Sequence, residues 1–370
     1  VFKFAGIIFC ALIVLAGCST QPPQSPPPNW PATNSILKTN LSQTNRLILS
    51  ATKTNLLATN SPTFNRTNPP AISRPAPVFT WTSLDRWAAE RKIGQVHKLS
   101  NSPVVTYAIG SSNGVMVLTI GSIGAIWNGI EINLGFAPEM IDGEVFLHGL
   151  DLQKNLEPLL CEPPISFPQT NRTIVIDPGH GGSNLGTRSV LDGRFEKEFT
   201  LDTARRLKSL LETNGWTVFL TRTNDSFVTN ADRVVFAEAH HADLFISLHF
   251  NSAAPDQKAA GLEIYCITPT GMPSTLTRNF SDLWSENLQN NNFDSQNLRL
   301  AVKLQSAILH KMGMDDRGVR RSRFDTVLRD QKRPAILIEA GYLSNPAEAK
   351  LIESGDYRQK LAEVIATALK

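Results

Sequence analysis

Acidic residues are missing from the first part of this 370-residue chain: residues 1 to 77 contain no Asp or Glu. Long apolar runs are missing too. The opening one extends only from Phe4 to Ala16, well short of the roughly 20 residues that a membrane-spanning helix needs. Around the glycine-rich stretch at 179–182 neither G-x-G-x-x-G nor G-x-x-x-x-G-K-[ST] occurs, so a phosphate-cradling loop is not indicated there. There are only four cysteines. Two of them, Cys161 and Cys266, either pair in an oxidising compartment or remain thiols; spacing alone does not choose, and two buried thiols are the expectation.

What is present divides the chain. The first residues, "VFKFAGIIFCALIVLAGCST", set one Lys before a short apolar core and small residues ahead of Cys18, the pattern of a cleaved signal over 1–17. The end "LAGC" resembles the lipobox of bacterial lipoproteins. That resemblance implies lipidation of Cys18 and a membrane anchor in the periplasm, at the outer membrane given Ser19. Residues 18–77 repeat Thr-Asn among Pro, Asn and Ser, a composition unable to bury enough apolar surface to offset ordering entropy, and read as a tether. Five basic residues lie in it (Lys38, Arg46, Lys53, Arg66, Arg74). Of the formal charge of +3, Lys3 and those five belong to the leader and tether, which leaves residues 78–370 at −3. The basic balance therefore implies no nucleic-acid partner.

Residues 78–165 read as a small mixed α+β domain. "SLDRWAAERKIG" puts Leu84, Trp87 and Ala88 on one helical face, and three apolar segments between Gly, Ser and Asn turns read as strands. "LDLQKNLEPLL" reads as helical. The segment resembles the copper amine oxidase N-terminal-like domain, but His97 and His148 are isolated, so a structural or wall-contacting module is expected rather than a metal site.

From Arg172 onward strands alternate with helices. "TIVID", "WTVFLTR", "DLFISLHF", "GLEIYCI" and "AILIEAG" are apolar runs without strict alternation, and helices fall at about 200–213, 229–241, 295–312 and 347–369. This predicts the α/β class, a mainly parallel sheet covered by helices on both faces. Such sheets gather chemistry at the carboxyl ends of their strands. His180 follows the first strand, His249 ends the third and Glu339 lies near the end of the last, while Glu196 sits at the entrance of a helix whose stripe is Leu201, Ala204, Leu207, Leu210 and Leu211. Two imidazoles and one carboxylate with an open fourth position form the ligand set of a catalytic zinc; iron or manganese also accept it.

"IDPGHGG", "FEKEFTLDTARRL", "ADLFISLHFNS" and "AILIEAGYLSNPAEAKLI" resemble, in order and spacing over 172–370, the zinc-dependent N-acetylmuramoyl-L-alanine amidases. The resemblance implies one Zn2+ held by His180, Glu196 and His249, Glu339 as acid/base, and peptidoglycan as substrate, cut between N-acetylmuramic acid and the L-alanine of the stem peptide. Glu198 is the nearest rival to Glu196 as ligand; it suits the positive end of a helix dipole. Asp177 has two readings, orienting His180 from behind or capping a turn ahead of Pro178.

Other residues have alternatives of their own. Arg320, Arg321 and Arg323, in "DRGVRRSRF", would bind stem-peptide carboxylates or lie in a solvated loop. His240 and His241 suit a helix end. His310 lies in a helical stripe, at the surface or in packing. Within an insertion at 268–295, Phe280, Leu283, Trp284 and Leu288 have helical spacing. Such a helix either packs on the sheet or occludes the site, in which case an activator protein is implied.

Rival functions fare worse on the residues. A carboxypeptidase-type zinc enzyme would place a Glu three residues after its first His, where Ser183 or Asn184 stands rather than an acid. A polysaccharide hydrolase would need two facing carboxylates that nothing singles out. A non-catalytic, tethered wall-binding protein has no need of all four site residues.

Overall fold

The computed structural model describes residues 80–168, 170–276, 282–323 and 326–370. Cys18, the leader and the tether lie outside the described residues, as does Phe280. The described chain from Thr80 onward belongs to one compact unit.

Its first part begins with β1 (Trp81–Ser83) and α1 (Leu84–Arg91), which is capped by the Ser83 hydroxyl and buries Leu84, Trp87 and Ala88. An antiparallel meander follows: β2 (Val96–Ser100), β3 (Thr106–Ser111), β4 (Gly114–Thr119), β5 (Gly124–Trp127) and β6 (Ile130–Asn133). Next, β7 (Glu139–Ile141) pairs with β8 (Glu144–His148), and β8 with β1, in a separate three-stranded sheet. The expected helical segment is a continuous run: α2 (Gly149–Asp151), a π turn (Leu152–Leu156) and α3 (Glu157–Leu160).

The second part is β9 (Arg172–Pro178), α4 (Glu196–Thr213), β10 (Trp216–Leu220), α5 (Asn230–Ala239), β11 (Leu244–Asn251) and β12 (Leu262–Ile267), then α6 (Asp294–Met312), β13 (Asp316–Ser322), α7 (Thr326–Arg329) and β14 (Ala335–Tyr342). It closes with α8 (Pro346–Ile352) and α9 (Gly355–Ala368), where one helix was expected. Ser354 divides them: it caps α9 by accepting from the Asp356 N–H, which starts a new helix instead of continuing the old one.

The predicted α/β architecture is present. Strand order is β10-β9-β11-β14-β12-β13, parallel except that β12 runs antiparallel to β14. All eight residues of β14 are buried, because helices cover both sides. One face, carrying Ile174, Ile176, Leu248, Ile338 and Ile264, packs with α4, α6 and α9; the other carries Val175, Phe245, Leu337 and Tyr265. Strand alternation then decides where the chemistry goes. His249 shares a face with Phe245, Glu339 with Leu337 and Glu263 with Tyr265, so all three side chains belong to this second face.

The meander continues the same sheet. β6 lies beside β13 with Ile132 opposite Val319, and the Glu131 N–H donates to Asp316 Oδ2 at 2.8 Å, giving eleven strands in one sheet. Charged and polar side chains complete the junction: Lys154 with Asp294 at 3.0 Å, Arg299 with Glu162 at 3.0 Å, and Arg321 Nη2 donating to Asn155 Oδ1 at 3.1 Å.

Candidate active site

At the end of β9 the chain must turn within two residues, and His180 takes a left-handed conformation, φ 64°, that a non-glycine residue rarely adopts. Two buried arginines brace this bend. Arg233 Nη2 donates to the His180 carbonyl at 2.8 Å, and Arg222 Nη2 donates to the Gly179 carbonyl at 2.8 Å. Arg233 also forms a buried ion pair with Asp177, whose other oxygen accepts from Ser247. Burial pushes the Asp177 carboxyl up, but Arg233, Thr221 and Ser247 together hold it below the usual range. Burial, and then the neighbouring Arg233 cation, bring Arg222 down to about 10. Asp177 therefore serves the bend rather than the imidazole: its partners are Thr221, Ser247 and Arg233. The residue that touches the His180 ring is Asn184, its Oδ1 2.9 Å from Nδ1.

The glycines in this loop have a specific use. A Cβ on Gly179 would lie 2.2 Å from Cε1 of His249, and one on Gly186 would lie 2.7 Å from Oε2 of Glu196 and from Cδ2 of His180. The backbone thus packs directly on the functional side chains, at a distance only glycine allows.

Glu196 is the first residue of α4, and its carboxylate sits between the two imidazoles. Oε2 is 2.9 Å from His180 Nε2 and Oε1 is 2.9 Å from His249 Nδ1. One donor atom from each of the three residues falls within 4.8 Å of the others. Burial alone would raise the Glu196 carboxyl, yet hydrogen bonds and charge from His180 and His249 hold it far below the ordinary value. Burial likewise lowers His180, and its contacts with Glu196 more than reverse this. A buried anion gripped by two imidazoles whose remaining lone pairs converge is a site able to take a divalent cation, and the donor set suits zinc. Glu198, the rival, accepts from the Phe195 N–H at 3.1 Å and so belongs to the helix start.

Glu339 is 8% exposed and stands directly opposite His249 on the neighbouring strand. Its other neighbour in register is Glu263. Glu263 is buried, and burial works against its charge, but hydrogen bonds from Tyr265, Arg317 and Tyr342 keep its carboxyl below the usual range. Sequence reasoning missed this residue. The available signal was an acid inside the otherwise apolar run "GLEIYCI". Arg233 gave a similar signal, a cation on the buried side of a helix.

Two of the three proposed substrate arginines are corrected. Arg321 is 2% exposed and Arg323 is fully buried. Arg321 ties β13 to the Lys154 carbonyl and Asn155, and Arg323 pairs with Asp282 and donates to the carbonyls of Pro269 and Met272. Guanidinium groups buried this deeply and turned to these partners present no face to a ligand. Arg320 alone borders a cavity beside Glu263.

The insertion also departs from expectation. Residues 282–288 contain no helix, and a 3-10 turn occupies Gln289–Phe293. Asp282 is drawn to Arg323 and Ser274, while the Trp284 ring meets Phe136 edge-on at 6.2 Å. These tertiary contacts override the helical spacing. His240 caps the end of α5 with its ring between Phe219 and Phe236, and His310 lies in the last turn of α6. Both cysteines are free, and Cys161 is exposed rather than buried.

Comparison with known proteins gives the family. A family of N-acetylmuramoyl-L-alanine amidases matches residues 174–370. Among curated proteins, "Probable cell wall amidase LytH" of Staphylococcus epidermidis is 35% identical over 206 residues, 55% of this chain and 60% of that protein. Its namesake in Staphylococcus saprophyticus is 33% identical over 208 residues, again covering 60% of the relative. The chain thus spans about three fifths of the length of the relatives it matches. Among solved structures, an N-acetylmuramoyl-L-alanine amidase from Clostridium difficile is 31% identical, with a TM-score of 0.44, covering 53% of this chain and 94% of that one. With the matched segment making up more than half of its length and containing all four site residues, this chain belongs to the N-acetylmuramoyl-L-alanine amidase family.

Proposed function

We propose that the protein hydrolyses the amide between N-acetylmuramic acid and L-alanine in peptidoglycan, with His180, Glu196 and His249 holding one zinc ion and Glu339 acting as acid and base. The observation that carries this reading is the placement of Glu339 one strand from the three converging donors. Zinc, when bound, supplies Lewis acidity for the scissile carbonyl and for the attacking water.

The remaining work falls to the chain. Glu339, opposite His249, is placed to take the proton released as water attacks and to return it to the departing nitrogen, which must be protonated to leave. Asn184 fixes the His180 ring through Nδ1, leaving Nε2 for the metal; His249 presents Nδ1. The arginine-braced bend holds the first imidazole where the strand ends.

The same proposal places the enzyme near its substrate: a lipidated Cys18 and the Pro/Asn/Thr-rich tether would hold it to a bacterial membrane facing the wall. Incubation of the zinc-loaded protein with purified peptidoglycan, followed by mass analysis of the soluble products, tests the activity. Intact stem peptides with a free L-alanine amine are expected, and products cut within the peptide or the glycan would overturn the assignment.

A further inference from the structure

Beside Glu339 the sheet opens into a cavity of about 220 Å³ whose walls include Asn251, Glu263, Leu276, Arg317, Arg320 and Tyr342. Of two carboxylates side by side in register, Glu263 lines it and Glu339 lies one strand beyond, a poor setting for an anion unless a cation answers them. Arg317 does not supply that cation to a ligand. Its Nε donates to Glu263 Oε1 at 2.5 Å, and its guanidinium lies over the Tyr342 ring, 5.1 Å from the centroid. The Tyr342 hydroxyl also donates to Glu263, at 2.8 Å. Glu263 is thus answered from within the protein.

Arg320 is different. It is half-buried, shares the cavity face through its register with Tyr265, and makes no ion pair or side-chain hydrogen bond among the described residues. Its backbone is fixed nevertheless: it lies inside β13, and its carbonyl accepts from Cys266 Sγ at 3.8 Å. The next residue is stitched to the insertion, the Arg321 N–H donating to Thr275 Oγ1 at 2.9 Å and the Thr275 N–H to the Arg321 carbonyl at 2.9 Å. A rigid strand therefore presents an uncommitted, planar, permanently charged group to a cavity next to the reacting centre. That is the geometry suited to a carboxylate, which a guanidinium binds through two parallel hydrogen bonds.

We infer that Arg320 and this cavity form a subsite for a free carboxylate on the stem peptide, close to the scissile amide. The inference rests on the amidase reading proposed above. Two strand spacings and an offset of two residues along β12, roughly 12 Å in all, separate Glu339 from Arg320. An arginine side chain together with one or two peptide residues, at roughly 3.5 Å each, spans that distance. The group in range is the α-carboxyl of the second stem residue, D-glutamate, which exists in nature as a carboxylate or as a carboxamide. The subsite would make the enzyme selective for the carboxylate form.

The test uses two synthetic substrates, N-acetylmuramoyl-L-alanyl-D-glutamate and its D-isoglutamine counterpart, which differ only in that carboxyl. The zinc-loaded protein is expected to cleave the carboxylate form with a kcat/KM roughly 10- to 100-fold higher, mainly through KM, the usual weight of a charge-assisted pair. Arg320→Gln should remove the preference by weakening the carboxylate substrate alone, and Arg320→Lys should retain part of it. Equal cleavage of both substrates by the unmodified protein would overturn the inference, as would an undiminished preference in Arg320→Gln. If neither substrate is cleaved, the amidase reading is what has failed. Calorimetric binding of the two compounds to the unmodified and Arg320→Gln proteins then decides the subsite by itself: an Arg320-dependent preference for the carboxylate supports it, and its absence rejects it.

Discussion

Asn184 Oδ1 lies 2.9 Å from Nδ1 of His180, on the side of the ring opposite the nitrogen that faces Glu196. An amide oxygen there accepts the Nδ1 proton, so that Nε2, now directed at Glu196, is the nitrogen that would lose its proton to a metal. The loop from His180 to Gly186 therefore supplies a ligand and the group that orients it within four residues.

The first prediction follows from that pair. Asn184→Ala should lower zinc affinity by about 10- to 100-fold, the usual effect of removing a partner of a ligating histidine. Asn184→Asp retains an acceptor and should stay near the unmodified value, and Ser183→Ala, in an exposed neighbour, should change nothing. Competition against a chromophoric chelator measures all three. Equal affinities across the set would show that the ring is oriented by other means.

Much of this site could be read from the order of residues, and the reason is local. A glycine-flanked histidine after an apolar strand, a second histidine at a strand end and an acid in the last strand each carry their own strand signal, and the sheet then aligns the strand ends. Asn184 was not legible because an exposed asparagine in a glycine loop looks like ordinary turn chemistry. The failures came where tertiary contacts decide. Arg321 and Arg323 resemble a solvated basic run, but Arg321 is drawn to Asn155 and the Lys154 carbonyl of the preceding part, and Arg323, just past β13, to Asp282 and the carbonyls of Pro269 and Met272. The shared sheet itself was invisible, since a single backbone register, Ile132 with Val319, leaves no mark in composition.

That shared sheet leads to the second prediction. Arg321 is buried where the two parts meet, donating to Asn155 and to the Lys154 carbonyl. Arg321→Met would strand these acceptors, so a loss of about 2–4 kcal/mol in unfolding free energy is expected, measured by urea denaturation. Its neighbour Arg320, which has no such partners, should cost less than about 0.5 kcal/mol when changed to Gln. Similar losses for the two would contradict the difference in burial.

The third prediction concerns Asp151, fully buried at the same junction, where it accepts from the N–H groups of Gly135 at 2.7 Å and Phe136 at 2.9 Å. Burial raises its carboxyl to about 6, against the lowering effect of those hydrogen bonds, of Asn155 and of the Arg321 charge. The folded state therefore holds this proton more tightly than the unfolded chain does. Stability from this group is full below about pH 4, falls as pH rises towards 6, and is level above that, a change on the order of 3 kcal/mol. Asp151→Asn should abolish the dependence, so the stability of the unmodified protein relative to the variant should decline between pH 4 and pH 6.5. A constant difference across that range would show that Asp151 is ionised throughout.

The last prediction separates turnover from metal binding. His180 and His249 each direct a ring nitrogen at Glu196, so replacing either by Ala removes a donor and should lose zinc and activity together. Glu339 contributes no atom to that cluster, although it stands opposite His249 in register. Glu339→Gln keeps the size and burial of the side chain but cannot accept the proton, so zinc content by mass spectrometry should remain near one per chain while cleavage of peptidoglycan falls by roughly 10²- to 10⁴-fold. Glu263 provides the necessary contrast, being equally close to Glu339 but already bound by Arg317, Tyr265 and Tyr342. Glu263→Gln would leave the Arg317 guanidinium without its anion, and its main effect should be a lowered unfolding midpoint. If Glu263→Gln instead abolished turnover in a stable, zinc-loaded protein while Glu339→Gln remained active, the proton would have to move through Glu263, and the assignment of acid and base would shift by one strand.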